Sequence, residues 1–231
     1  MIVKSPVIVA LDYPNEKQTL EFINKINPEQ CRVKVGKELF TVCGPSIIET
    51  LQTKNFEVFL DMKFHDIPNT VARACSVAAE LGVWMLNVHA LGGCAMLRAA
   101  RTAIDESTHK PLLIAVTVLT SLSDIELNEL GITETAKQAV IRLAKLAAAE
   151  KLDGVVCSAK EVSLLAQEIS SDFVLVTPGI RPEGSQTGDQ KRVVTPQQAM
   201  ASGSHYLVIG RPVTQAAEPE KALDRIIDSL S

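Results

Sequence analysis

The chain has 231 residues, of which 46% are hydrophobic and 22% charged, with a net charge of -4. That length suits one large domain better than two, and the acidic balance excludes broad attraction to nucleic acid or an anionic membrane surface. Residues 1–6 carry no signal-peptide pattern, and no run approaches the roughly 20 apolar residues of a membrane span. Cys31, Cys43, Cys75, Cys94 and Cys157 show no C-x-x-C spacing, which suits reduced thiols in a cytoplasm and gives no zinc site.

Eight short runs rich in Val, Ile and Leu follow one another along the chain, at 7–11, 32–35, 58–61, 84–89, 112–119, 154–157, 173–176 and 206–209. Helix-like segments lie between and after them, at 16–26, 45–52, 70–81, 94–105, 133–150, 159–168, 196–202 and 219–229. Continuous apolar runs are the mark of parallel strands buried on both faces. Eight strand–helix units predict an α/β fold, a (β/α)8 TIM barrel formed by residues 1–231 as a single domain. A doubly wound open sheet competes, but the loop after the first strand is Asp12-Tyr13-Pro14-Asn15, without the glycines of a dinucleotide fold.

Such barrels build their sites at the C-terminal ends of the strands. Residues at those exits are Asp12, Lys34, Asp61 with Lys63, His89, Thr117 with Thr120, Ser158, Thr177 with Arg181, and Arg211. The densest group is Asp61-Met62-Lys63-Phe64-His65-Asp66-Ile67-Pro68-Asn69-Thr70, which follows the oily segment 56–60. Residues two apart on a strand share a face, so Asp61 and Lys63 point the same way; Asp66 follows one turn later, and Pro68 suits the first turn of a helix. This arrangement is either a structural ion-pair network or a tool for chemistry. Charges about 4 Å apart interact by roughly 4 kcal/mol at an effective dielectric near 20, enough to hold a lysine protonated or to disfavour another anion.

The loop at 178–192 is long, glycine-bearing and rich in donors, and the eighth strand ends in Gly210-Arg211-Pro212. Loops after strands seven and eight are the frequent phosphate site of this fold; the alternative is a solvated surface loop. His65, His89, His109 and His205 lack metal-ligand spacing; His65 sits inside the charged motif and could orient it, but a lone histidine is more often a satisfied structural group. No motif for ATP, dinucleotide or serine-hydrolase chemistry occurs, so the chemistry expected is that of positioned charges without a cofactor or a metal.

These motifs together resemble the orotidine 5'-monophosphate decarboxylase family, in its type 1 bacterial form. The likeness runs nearly end to end: Val-Ala-Leu-Asp at 9–12, Lys-Val-Gly at 34–36, the ten residues 61–70, Asn-Val-His-Ala at 87–90, Val-Thr-Val-Leu-Thr-Ser at 116–121, Thr-Pro-Gly-Ile-Arg at 177–181, Gly-Asp-Gln at 188–190 and Val-Ile-Gly-Arg at 208–211. The resemblance implies conversion of orotidine 5'-monophosphate (OMP) to UMP and CO2 in pyrimidine synthesis. It implies Lys63 as the proton donor to C6, flanked by Asp61 and by Asp66 from a second subunit, with Lys34 in the charge network. Asp12 and Lys34 would hold the ribose, Thr120 the base, and Arg181, Gln190, Gly210 and Arg211 the phosphate end. Asp66, Ile67 and Thr70 would reach into the neighbour's site of a homodimer. Two other functions compete: a magnesium-dependent sugar-phosphate decarboxylase or aldolase, such as a 3-keto-gulonate-phosphate decarboxylase, and a non-catalytic nucleotide-binding barrel.

Overall fold

The structure, a computed structural model, describes residues 3, 5–182 and 194–230. Eight parallel strands, β1 (Val7–Ala10), β2 (Arg32–Gly36), β3 (Val58–Phe64), β4 (Met85–His89), β5 (Leu112–Val116), β6 (Gly154–Val156), β7 (Val174–Thr177) and β8 (Tyr206–Ile209), pair in sequence order. β8 closes on β1 through Val7–Leu207, Ile8–Val208 and Val9–Ile209. The barrel is the TIM fold expected from the strand–helix alternation.

The helices are α1 (Glu16–Ile23), α2 (Lys37–Cys43), α3 (Ser46–Thr53), α4 (Pro68–Glu80), α5 (Gly93–Glu106), α6 (Asp124–Glu129), α7 (Ala136–Ala149), α8 (Ala159–Glu168), α9 (Pro196–Ala201), α10 (Arg211–Thr214) and α11 (Pro219–Asp228). Several expected boundaries move. The helix expected at 133–150 starts at Ala136, because Thr135 caps it through a reciprocal capping box with Gln138. The strand expected at 112–119 ends at Val116, where the Thr117 hydroxyl turns aside to donate to the Val156 carbonyl at 3.0 Å. Helices α2, α6 and α10 have no counterpart among the expected segments; α2 and α6 each bury a single residue, Leu39 and Leu127, too few to make an apolar stripe.

Side-chain alternation sorts each strand into two rows. Val7, Val9, Val33, Val35, Val58, Leu60, Leu86 and Val88 point outward into the large core beneath the helices. Ile8, Ala10, Phe59, Met85, Ile114, Val176 and Val208 fill the lumen. At the N-terminal end the lumen is closed by Arg32, whose guanidinium lies 4.3 Å from the Trp84 ring centroid and 5.2 Å from that of Tyr206. Its Nε meets Glu57 Oε2 at 2.7 Å, and its other nitrogens donate to the Val3 and Ser5 carbonyls. At the opposite end the inward row continues, by the same alternation, into Asp12, Lys34, Asp61, Lys63, Asn87, His89 and Gly210.

Candidate active site

Register fixes which of these residues meet. Ala10 pairs with Lys34, Lys34 with Phe59 and Gly36 with Asp61, so the exits of β1, β2 and β3 bring Asp12, Lys34 and Asp61 side by side. Lys34 Nζ lies 3.5 Å from Asp12 Oδ1 and 3.2 Å from Asp61 Oδ2, while Lys63 Nζ sits 2.5 Å from Asp61 Oδ1. Charge alternates along the row Asp12, Lys34, Asp61, Lys63. Gly36 leaves space for it, since a Cβ there would stand 3.2 Å from Lys34 Nζ.

β3 is not regular through this row. It was expected to end at Asp61, yet it continues to Phe64 with a break in register: Leu60 pairs with Leu86 and Phe64 with Val88, so four steps of β3 span two of β4. Bulges of this kind re-aim a side chain. Lys63 takes a left-handed backbone with φ 53, uncommon for a non-glycine residue. The fully buried Asn87 sits beneath the bulge; its Oδ1 accepts the Lys63 backbone N–H at 2.7 Å and its Nδ2 donates to Asp61 Oδ1 at 2.7 Å.

Burial by itself would raise the Asp61 carboxyl. The Lys34 and Lys63 ammoniums, with hydrogen bonds from Lys63 and Asn87, outweigh it and hold the group below the ordinary carboxylate value. Asp61 is therefore an anion held in a buried position. His89 behaves in the opposite sense: burial, then the positive charges of His65, Lys63 and Lys37, push its pKa down to about 4. Its ring stacks on His65 with centroids 5.3 Å apart, and its Nδ1 accepts the Leu91 N–H at 3.4 Å. Because its folded pKa lies below the unfolded value of 6.5, its contribution to stability is present above pH 6.5 and is lost as pH falls toward about 4. Melting temperature should fall across that window, and a His89→Gln variant should show a shallower fall; an identical slope would remove His89 from the acid response.

The cleft over the row has a volume of about 180 Å³ and is lined by Leu11, Asp12, Lys34, Gly36, Lys37, Glu38, Leu39, Asp61 and Lys63. A larger cavity of about 940 Å³ lies at the other end of the barrel, against Glu49, Gln52, Glu57 and Trp84, and contains none of the row. Among the described residues no group of three or more His, Cys, Asp and Glu side chains could hold a metal ion.

The residues expected at the phosphate end follow β7 and β8. Gly210, the N-cap of α10, is close enough to β1 that a Cβ on it would stand 3.6 Å from Asp12 Oδ2, and Arg211 is the first residue of that helix. Arg181 is buried at 6% exposure and donates to the Ile180 carbonyl. The bridge between Ile180 and Val194 and the Arg181 N–H bond to the Val194 carbonyl join the described residues on either side of 183–193. Gln190 lies outside the described residues. Thr120 is half-buried in the turn after β5.

Three residues of the motif point away from the row. Asp66, Ile67 and Thr70 are exposed, Ile67 at 66%; the Asp66 carboxylate accepts the Ile67 N–H at 2.6 Å, and Pro68 opens α4 as expected. Three polar residues expected at strand exits do not join the row either. Thr117 bonds to Val156, Thr177 shares a buried 2.8 Å bond with Ser204, and Ser158 caps α8 in a capping box with Glu161. Conversely, Asn87, Lys37 and Gly36 line or support the site although sequence reasoning gives them no role; Asn87 and Gly36 stand only within the motifs at 87–90 and 34–36, and for Asn87 the available signal is a lone amide on the inward row of an apolar strand.

The chain matches the family model described as "Orotidine 5'-phosphate decarboxylase / HUMPS family" over residues 5–226. It is similar to the protein named orotidine 5'-phosphate decarboxylase of Marinomonas sp. (strain MWYL1), 60% identical over 95% of this chain and 94% of that one. The protein of the same name from Nitrosococcus oceani is 53% identical over 99% of this chain and 98% of its own length. Among solved structures, orotidine 5'-phosphate decarboxylase from Lactobacillus acidophilus superposes with a TM-score of 0.88 at 40% identity, covering 98% of this chain and 99% of that one.

Proposed function

The chain belongs to the orotidine 5'-phosphate decarboxylase / HUMPS family, and from that premise we propose that the row Asp12, Lys34, Asp61, Lys63 removes CO2 from OMP to give UMP without a cofactor. The observation that carries the proposal is the Lys63 ammonium, held on the buried Asp61 anion at 2.5 Å at the exit of the barrel. A positioned cation is what the reaction needs. When the C6–carboxylate bond breaks, CO2 departs and the electron pair stays on C6. An ammonium beside that carbon stabilises the developing charge and then donates its proton to it, recovering a proton from water afterwards. Asp61, already anionic, stands against the substrate carboxylate, and their repulsion is relieved as CO2 leaves.

The order of the strands supports the assignments that the family resemblance implies for the rest of the nucleotide. Asp12 and Lys34, next along the barrel rim, take the ribose hydroxyls; Gly210 and Arg211 beyond Asp12 take the phosphate with Arg181 and Gln190; Thr120 meets the base. Arg211→Ala should weaken UMP binding by about 10- to 100-fold, the worth of a charge-assisted hydrogen bond of roughly 1.5–3 kcal/mol, with a much smaller effect on turnover of bound substrate. An unaltered UMP affinity, measured by calorimetry, would sink the phosphate assignment.

The outward Asp66, Ile67 and Thr70 serve a second subunit of a homodimer. Support comes from the 66% exposure of Ile67 and 63% of Val77 on one helix and its lead-in, and from the shallow groove beside them that includes Asn69, Ala72, Ala95 and Ala99. Co-expressed Asp66→Ala and Lys63→Ala subunits, each inactive as a homodimer, should regain activity in the hybrid, because one site then has both residues. A silent hybrid would contradict sharing. The working form is a barrel domain comprising residues 1–231 in the cytoplasm; no described helix is long and apolar enough to cross a membrane.

The magnesium-dependent sugar-phosphate decarboxylase and the non-catalytic barrel are separated by substrate. Offered OMP and a 3-keto sugar phosphate in turn, with and without magnesium, the protein should release CO2 only from OMP and in both conditions. Release from the sugar phosphate with magnesium alone would favour the first rival, and UMP binding without turnover the second.

A further inference from the structure

We propose that Asn87 is a positioning residue of the decarboxylation site, setting the mutual placement of the Lys63 ammonium and the Asp61 carboxylate; the inference rests on the assignment of the chemistry to those two groups. Asn87 is wholly buried in β4 between Leu86 and Val88, a position where an amide is expensive unless both of its ends are bonded. Both ends are bonded to the reacting pair. The carbonyl oxygen accepts the backbone N–H of Lys63, and the amide nitrogen donates to Asp61 Oδ1, the same oxygen that receives Lys63 Nζ. One side chain thus touches the backbone of the proton donor and the anion that holds its ammonium.

The backbone it supports is strained. Lys63 sits at φ 53 in the stretch where β3 and β4 lose register, and such a conformation persists only when its surroundings over-determine it. A regular strand would need no side chain to receive that N–H. With the bulge, β4 supplies the acceptor from Asn87, so the aim of Lys63 depends on a residue that itself meets no substrate.

The charged and titratable groups around Asn87 are Asp61 and Lys63 on β3, Lys34 on β2 with Asp12 beyond it, and His89 two residues along β4; the inward residues of β5, Ile114 and Val116, are apolar. This permits a test with opposite signs for its two bonds. Asn87→Asp keeps an acceptor for the Lys63 N–H but sets a second carboxyl against Asp61. Two carboxyls sharing one site bind a proton more readily than either alone, and the protonated form donates to Asp61 as the amide does.

The experiment measures kcat on OMP, UMP affinity and melting temperature for the whole protein, wild type first, so that a wrong function shows there and a wrong role for Asn87 only in the variants. Asn87→Ala should lower kcat by about 100-fold, the effect of misplacing a reacting group by about 1 Å, while UMP affinity stays within about threefold. Asn87→Asp should gain activity relative to wild type as pH is lowered through about 8 to 6. A kcat within about threefold of wild type in Asn87→Ala would overturn the proposal. So would a parallel loss of kcat, UMP affinity and stability, which marks a purely structural amide. Should Asn87→Ala fail to fold, the pH profile of Asn87→Asp decides: one parallel to wild type overturns the proposal.

Discussion

Replacing Lys63 with alanine should abolish turnover, by about 10⁴-fold or more, while leaving UMP bound. The magnitude joins two contributions of one group: a general acid is worth about 10² to 10⁴, and a fixed charge aimed at a developing anion about 10² to 10³. UMP affinity should survive because the contacts proposed for the phosphate come from the ends of β7 and β8 and the start of α10, not from β3. Lys63→Arg should not rescue, since the planar guanidinium retains its proton and cannot give it to C6. Single-turnover kinetics with UMP titration checks both halves, and retained turnover in the alanine variant would remove Lys63 from the mechanism.

Asp61→Asn should have the next largest effect. The substitution keeps the size of the side chain and removes only its charge, which both Lys34 and Lys63 depend on at 3.2 and 2.5 Å. It leaves two ammoniums at the rim with one fewer anion to hold them, and the amide that replaces the carboxylate sets its NH2 against a donor whichever way it turns, Lys34 on one side or Asn87 and Lys63 on the other. Turnover should drop by about 10³-fold, in the range seen when a charge-stabilising group of a site is lost. Affinity for UMP should be equal to that of wild type or tighter, because the product lacks the carboxylate that Asp61 opposes. A variant with weakened UMP binding and less than tenfold loss of turnover would show that Asp61 holds ligand rather than organising the reaction.

Much of this site is legible in the sequence, and for a definite reason. Asp61 and Lys63 are two apart on a strand, Asp12, Lys34 and Gly210 end inward rows, and period-two alternation alone places such residues over a barrel lumen. The same rule, applied more strictly, excludes Thr117 and Thr177: Ile114 and Val176 are lumen residues, so both threonines fall on the outward row. Ser158 is different; it is a helix cap, and capping residues and site residues share the same polar chemistry at strand exits.

Asn87 illustrates what alternation cannot convey. Its inward direction follows from the pattern, but its two bonds exist only because β3 carries a bulge that shifts Lys63 against β4. That offset is a property of cross-strand register, which a single strand's sequence does not contain. Asp66, Ile67 and Thr70 mark another boundary: the motif groups them with Lys63, whereas the fold leaves them exposed at the start of α4, so the role proposed for them requires a second subunit. The thiols are legible in the plainer sense. Cys31 and Cys75 lie in the core, where burial pushes each up to about 12, so neither competes as a nucleophile.

The most direct test of the central claim is the absorbance decay of OMP with purified protein, followed with and without EDTA and with UMP identified as product. Conversion at the same rate in both conditions is the result expected of a site that works through positioned charges without a metal ion. Absence of conversion, or conversion abolished by the chelator, would contradict it.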